Sequence, residues 1–153
     1  MKKIIYIDMD GTVVDFESGI NELTKKEREN YGHEIDNHPE IFSKMKPMTG
    51  AIDAISRLNE KYDLYLLSTP PWDNPNAWKH KREWVGRYFG NEEGSIFWKR
   101  IILSHHKNLN KGDFLIDDNP TRNGADKFQG QKIHFRSNKF PDWDSVNTYL
   151  LNL

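Results

Sequence analysis

The sequence predicts an α/β fold, a parallel sheet sandwiched by helices, on three observations. Short apolar runs recur along the chain, each bounded by turn residues. Stretches with apolar residues at helical spacing lie between them. The runs are continuous rather than alternating, as in strands buried on both faces. Strands alternating with helices favour one sheet joined by right-handed crossovers.

Taken in order, Lys3–Met9 (KIIYIDM) reads as the first strand and ends in acid. Residues 17–46 break the alternation. They are polar, helix-prone at first and turn-rich around Gly32, Asn37 and Pro39, which suggests a small insertion of one or two helices. Gly50–Lys61 follows as a helix with Ile52, Ile55 and Leu58 at helical spacing. Asp63–Ser68 (DLYLLS) is the second main strand, stopped by Thr69-Pro70-Pro71. Asn76–Phe89 is a basic helix carrying Trp78, Val85 and Phe89. Arg100–Leu103, Phe114–Ile116 and Lys132–Phe135 complete a set of five strands. Trp143–Leu151 closes the chain as a helix, with Asp142 or Asp144 as its N-cap. The expected organisation is thus a core of 1–16 and 47–153 with a small cap insertion at 17–46.

Composition narrows the functional classes. With 153 residues, of which 5 are Trp, 6 Tyr and 8 Phe, the chain can bury a core without staples, and disorder is not expected. No apolar run approaches the ~20 residues of a membrane span, so no membrane association is expected. Asp8 and Asp10 interrupt the first apolar run too early for a secretory signal. A net charge of −1 argues against broad nucleic-acid binding, and no stable nucleic-acid partner is expected. The absence of cysteine excludes thiol catalysis, disulfides and thiolate metal sites. A cytoplasmic location is the plain expectation.

The chemistry concentrates in two acidic clusters. Asp8 and Asp10 lie two apart in extended chain, so they share one side at the end of the first strand. Gly11 then permits a sharp turn. Asp117-Asp118 ends another strand. In open α/β sheets, the carboxyl ends of the strands form the ligand crevice. Converging carboxylates repel by about 4 kcal/mol per pair at ~4 Å and an effective dielectric of ~20, so protons or a cation must relieve them. An all-oxygen set suits a hard ion, Mg²⁺ above Ca²⁺.

These residues carry a resemblance. DMDGT after the first strand, a Ser/Thr ending the next main strand, a Lys on a later helix and DD after another strand resemble the four motifs of the haloacid dehalogenase-like phosphatases, a superfamily with a Rossmann-like core. The sequences DMDGTVVDFE (8–17), LLSTP (66–70), KREWVGRYFG (81–90), FLIDDNP (114–120) and NGADKFQGQKIHF (123–135) are similar, more narrowly, to the 5′(3′)-deoxyribonucleotidase family. The likeness spans most of the core and departs from the family in the short insertion and at Asn119, where an Arg often follows the acid pair.

The resemblance implies a Mg²⁺-dependent phosphatase. Asp8 would be the nucleophile that forms an aspartyl-phosphate, and Asp10 the general acid and then base. Asp8, the Asp10 carbonyl and either Asp117 or Asp118 would hold the metal. Ser68 and Thr69 would hydrogen-bond the phosphoryl group, and Lys81 would neutralise both the nucleophile and the phosphoryl oxygens. Phe16 would line a base pocket, although its sequence context fits a core phenylalanine equally. The implied substrate is a small phosphorylated molecule, a (deoxy)nucleoside monophosphate. A sugar phosphate, a nucleic-acid 3′-phosphate and a non-catalytic phosphate-binding module are the rival readings. So small a cap also leaves room for a homodimer in which a partner's insertion closes the pocket.

Overall fold

The computed structural model describes residues 1–153. Five parallel strands form the central sheet: β1 (Ile4–Ile7), β4 (Asp63–Ser68), β5 (Ile101–Leu103), β6 (Phe114–Asp117) and β7 (Gln131–His134). Their spatial order is β5-β4-β1-β6-β7, with β1 at the centre. The register pairs Ile7 with Leu66 on one side and with Ile116 on the other. Asp8 therefore leaves the sheet between Leu67 and Asp117. The chain steps outward from β1 to β4 and β5, then crosses back to β6 and β7, which makes the carboxyl end of β1 the topological switch point.

Side chains along the strands divide between two clusters. Ile5, Ile7, Leu64, Leu66, Phe114 and Ile116 face the larger one, which also holds Ile55 and Leu58 of α3 (Ala51–Lys61), Trp84 and Val85 of α4 (Pro75–Phe89), and Val146 and Leu150 of α5 (Trp143–Leu151). Tyr6, Leu67 and Leu115 face a small cluster with Ala125 and Phe128. The sheet is thus not sandwiched evenly. The long helices bury one face, while single 3₁₀ turns at Lys107–Leu109 and Ala125–Lys127 carry the crossovers on the other. Right-handed crossovers explain the split, because reversing direction across the sheet moves the connection to the opposite face.

Expected boundaries agree to within a few residues, and Asp142 is the α5 N-cap, accepting from Ser145 N at 2.8 Å. Two helical faces differ from expectation. Ile52 is exposed, and α3 buries Ala51, Ala54, Ile55 and Leu58 instead. On α4 the buried stripe is Ala77, His80, Lys81, Trp84 and Val85 rather than Trp78 and Phe89. That rotation carries Lys81 into the interior.

Residues 17–46 leave and rejoin the core through a two-stranded antiparallel ribbon that sequence patterning did not indicate. It joins β2 (Val14–Asp15) to β3 (Lys46–Pro47). Between them run α1 (Phe16–Asn21), α2 (Lys25–Tyr31) and 3₁₀ segments at Gly32–Asn37 and Ile41–Ser43. A capping box between Thr24 and Glu27 starts α2 and holds the Glu27 carboxyl below its usual range, through the Thr24 backbone first and its hydroxyl second. Leu23, Ile41, Phe42 and Met45 join the main core. From the other side α4 grips this segment by its carbonyls. Asn74 Nδ2 donates to Asp36 O and His38 O, both at 2.9 Å, and Asn76 Nδ2 to Pro39 O at 3.3 Å. Trp84 Nε1 donates to Met45 O at 3.0 Å, and Arg87 Nη1 to Ser43 O at 3.3 Å.

Candidate active site

A tight turn after β1 builds the centre of the site. The N–H groups of Thr12, Val13 and Val14 all converge on Met9 O at 2.8–3.0 Å, and Gly11 takes φ +79°. Glycine is needed here twice over. The backbone lies in the left-handed region, and a Cβ would collide with the Asp118 carboxylate. Thr12 accepts from Asp118 N at 3.2 Å, so the two acidic strand ends are tied directly together. From below, Trp143 Nε1 donates to Thr12 O at 2.8 Å, which anchors the turn to α5.

Asp8, Asp117 and Asp118 converge as the two strand ends predict, with one carboxylate oxygen of each lying within 4.8 Å of the others. Lys107 Nζ stands between Asp8 Oδ1 at 2.9 Å and Asp117 Oδ2 at 2.7 Å, and is almost fully buried. The second oxygen of Asp117 accepts from Asn119 N at 2.8 Å. Both Asp117 oxygens are therefore committed, whereas no protein N–H or hydroxyl reaches the second oxygen of Asp8. Burial pushes the Asp8 carboxyl well above its usual range; Lys107 opposes this, and Asp117 and Asp10 reinforce it. Burial also raises Asp118. Burial alone would lower Lys107, but the carboxylates of Asp8 and Asp117 outweigh it and hold the ammonium above its usual value.

Lys81 occupies a different place from the one its motif suggested. It does not touch Asp8. Its Nζ donates to Asp10 Oδ2 and lies 4.5 Å from the centre of the Phe42 ring, buried behind the acid rather than in the cavity. The lysine beside Asp8 is Lys107, which sequence reasoning missed. A signal existed: the connection between β5 and β6 is too short for a crossover helix, so its basic residues must pass close to the strand ends. The Ser68-Thr69 pair also divides. Ser68 is buried with no partner for its hydroxyl, while Thr69 lines the cavity and donates to Ser104 O at 2.7 Å. Phe16 lines the cavity and meets Phe42 edge-on at 5.8 Å between ring centres.

The cavity above these groups encloses about 680 Å³. Phe16, Glu17, Ile35, Asp36 and Phe42 form the wall from the insertion, and Arg122 and Arg136 stand on the side of β6 and β7. Trp72 is 76% exposed and lines the mouth, its ring held edge-on by His105 at 5.8 Å.

The site is chemically suited to a hard cation. The second oxygen of Asp8 and the carboxylate of Asp118, which accepts only a long bond from the Thr12 hydroxyl at 3.5 Å, supply hard ligands. Four carboxylates against two lysines leave two negative charges, which one divalent ion balances.

The fold is similar to that of solved haloacid dehalogenase-like proteins. The HAD-hydrolase YfnB of Bacillus subtilis, solved bound to magnesium, matches over 99% of both chains with a TM-score of 0.62 at 14% identity. A haloacid dehalogenase-like hydrolase of Xanthomonas campestris matches 99% of this chain and 96% of its own with a TM-score of 0.58 at 10% identity. At these identities the likeness concerns the fold. Sequence comparison narrows the class. The profile of the family described as 5′ nucleotidase, deoxy (pyrimidine), cytosolic type C matches residues 16–142. A protein of Vibrio phage KVP40 named as a 5′(3′)-deoxyribonucleotidase is 55% identical over 97% of this chain and 85% of its own length. A Staphylococcus aureus protein of the same name is 30% identical over 78% of this chain and 67% of its own. The chain belongs to this 5′-nucleotidase family, and with it to the phosphoric monoester hydrolases. No helix is long and apolar enough to cross a membrane.

Proposed function

We propose that the protein hydrolyses (deoxy)nucleoside monophosphates with Mg²⁺ through a phosphoryl group carried on Asp8. One observation carries the reading: Lys107 locks Asp8 and Asp117 together at the floor of a cavity large enough for a nucleotide. Lys107 fixes the Asp8 carboxylate and leaves its second oxygen toward Asp118. Asp118, not Asp117, is the acid with free capacity for the metal, alongside Asp8 and the Asp10 carbonyl. The ion would neutralise carboxylate and phosphoryl charge during transfer.

This chain's own groups supply the rest. Asp8 attacks phosphorus, which divides one hard displacement into two easier ones. Asp10 gives a proton to the departing sugar oxygen and later takes one from water, a role worth ~10²–10⁴-fold. Lys81 holds Asp10 from behind and so acts as a positioning residue. Thr69, rather than Ser68, faces the phosphoryl. Because proton transfer supplies so little of the total, electrostatic clamping by Lys107 and exact placement carry most of the acceleration. The insertion at 17–46 serves as the cap, with Phe16 and Phe42 offering an apolar wall to a base.

The test is phosphate release with Mg²⁺ across nucleoside 5′- and 3′-monophosphates, sugar phosphates and 3′-phosphorylated oligonucleotides. Nucleoside monophosphates are expected to be preferred; a stronger preference for either other group overturns the substrate assignment. Asp8→Asn, nearly isosteric, is expected to keep the fold by circular dichroism and lose turnover. Wild-type rates in that variant would exclude the covalent route.

A further inference from the structure

We propose that Arg122 and Arg136 form a second anion subsite, which takes a phosphate on the far side of the substrate's sugar, so that nucleoside 3′,5′-bisphosphates are preferred over monophosphates. The inference rests on the phosphatase reading above and extends it to a substrate class.

The cations of the site fall into two groups. Lys107 is spent on Asp8 and Asp117, and Lys81 on Asp10. Arg122 and Arg136 line the same cavity, yet their guanidinium groups make no ion pair and no hydrogen bond within the protein. Arg82, Arg87 and Arg100 are engaged on Asn91, Ser43 O and Asp63, and Arg28 and Arg57 are free on the exposed faces of α2 and α3, away from the cavity. A guanidinium carries five donors in a planar fork that matches phosphate oxygens in pairs. The side chains of Arg122 and Arg136 are both exposed at the rim of that cavity, open to an anion that enters it.

Their backbones are fixed rather than loose. Arg136 sits at φ +64°, and its N–H donates to Phe140 O at 2.8 Å between the buried rings of Phe135 and Phe140. Asn123, next to Arg122, sits at φ +52°, and its carbonyl accepts from Lys107 N at 2.8 Å. Asparagine adopts this conformation readily, but an arginine holds it only where its surroundings impose it, and such strain gathers at functional sites.

Placement separates this subsite from the reacting phosphoryl. Arg136 follows β7, two strands from β1, about 10 Å away at the usual spacing between strands. Asp117 and Asp118 lie between it and Asp8. The opposite wall carries Glu17 and Asp36, which repel an anion. A substrate with one phosphate at Asp8 therefore directs a second toward the arginines. Both phosphates of a 3′,5′-bisphosphate are monoesters. Asp8 attacks the phosphorus of the one beside it, the sugar oxygen leaves and takes a proton from Asp10, and water then cleaves the phosphoryl group from Asp8, so that a nucleoside monophosphate and inorganic phosphate leave.

The experiment compares kcat/KM for a deoxynucleoside 3′,5′-bisphosphate, the matching 5′-monophosphate and the 5′-diphosphate. The bisphosphate is expected to exceed the monophosphate by about tenfold, the scale of one charge-assisted contact. In the double variant Arg122→Gln/Arg136→Gln that ratio is expected to fall toward one. Arg57→Gln, on the exposed face of α3, should retain it and so exclude a general charge effect. A wild-type ratio of one or less, or a ratio unmoved by the double variant, overturns the subsite. An equal gain for the 5′-diphosphate overturns its placement on the sugar. If no monoester is turned over, the phosphatase reading fails, and dissociation constants measured on Asp8→Asn decide the subsite separately. Tighter bisphosphate binding that is lost with the two arginines supports it, and equal affinities overturn it.

Discussion

Lys107 and Lys81 are both buried and both touch aspartate, yet they are not equivalent. Lys107 balances two buried carboxylates, whereas the side chain of Asp10, the partner of Lys81, is 27% exposed and can turn to water. Removing one member of a buried pair costs about 3–5 kcal/mol, because the other charge is stranded. Lys107→Met is accordingly expected to lose roughly that much stability in urea unfolding without Mg²⁺, and to lose phosphate release. Lys81→Met is expected to cost less stability and to lower kcat more than it raises KM. Equal losses for the two variants would contradict the division of labour. Gly11 bears on the same site differently. Gly11→Ala would push the Asp118 carboxylate aside. It is expected to weaken Mg²⁺ affinity by ~10–100-fold, the scale seen when a ligand's support is disturbed. Calorimetric Mg²⁺ titration, with circular dichroism as the check on folding, reads this directly.

At the scale of elements, sequence patterning found what repeats and missed what does not. The five strands and the helices at 51–61, 75–89 and 143–151 were legible because burial imposes a period on their apolar residues. The pairing of Val14–Asp15 with Lys46–Pro47 was not legible, since two-residue strands carry no period. Asp8, Asp10, Asp117 and Asp118 could be read because each ends an apolar run. Lys107 could not, because it sits on a single 3₁₀ turn whose only signal is its length. The burial of Lys81 was hidden by three flanking basic residues, Lys79, His80 and Arg82, which suggested a solvated face. The grip of α4 on the insertion was equally invisible, since its acceptors are backbone carbonyls. Asn74 is its centre, buried and bonded to two of them. Asn74→Ala leaves these carbonyls without a donor, at about 1–3 kcal/mol for a buried polar group. Faster amide exchange across 32–43 and a raised KM are expected; unchanged exchange there would show that apolar packing alone holds the segment.

For the molecule as a whole, the site makes stability depend on pH and metal together. Burial raises the Asp8 and Asp118 carboxyls in the fold, so the folded state binds their protons more tightly than the unfolded chain does. Stability from these groups is full below their unfolded values and is lost as pH rises through the folded ones. In EDTA, the melting temperature is therefore expected to fall as pH rises out of the acidic range. Saturating Mg²⁺ should flatten that fall, because the ion binds the ionised folded form. A melting curve with the same pH slope in both buffers would contradict this. The sutured insertion has a consequence for traffic as well. A substrate enters an open bowl rather than a closing jaw, so product escape waits on no hinge and is not the slow step. Turnover should then be insensitive to solvent viscosity, and selectivity has to be written into the lining of the bowl, one side chain at a time.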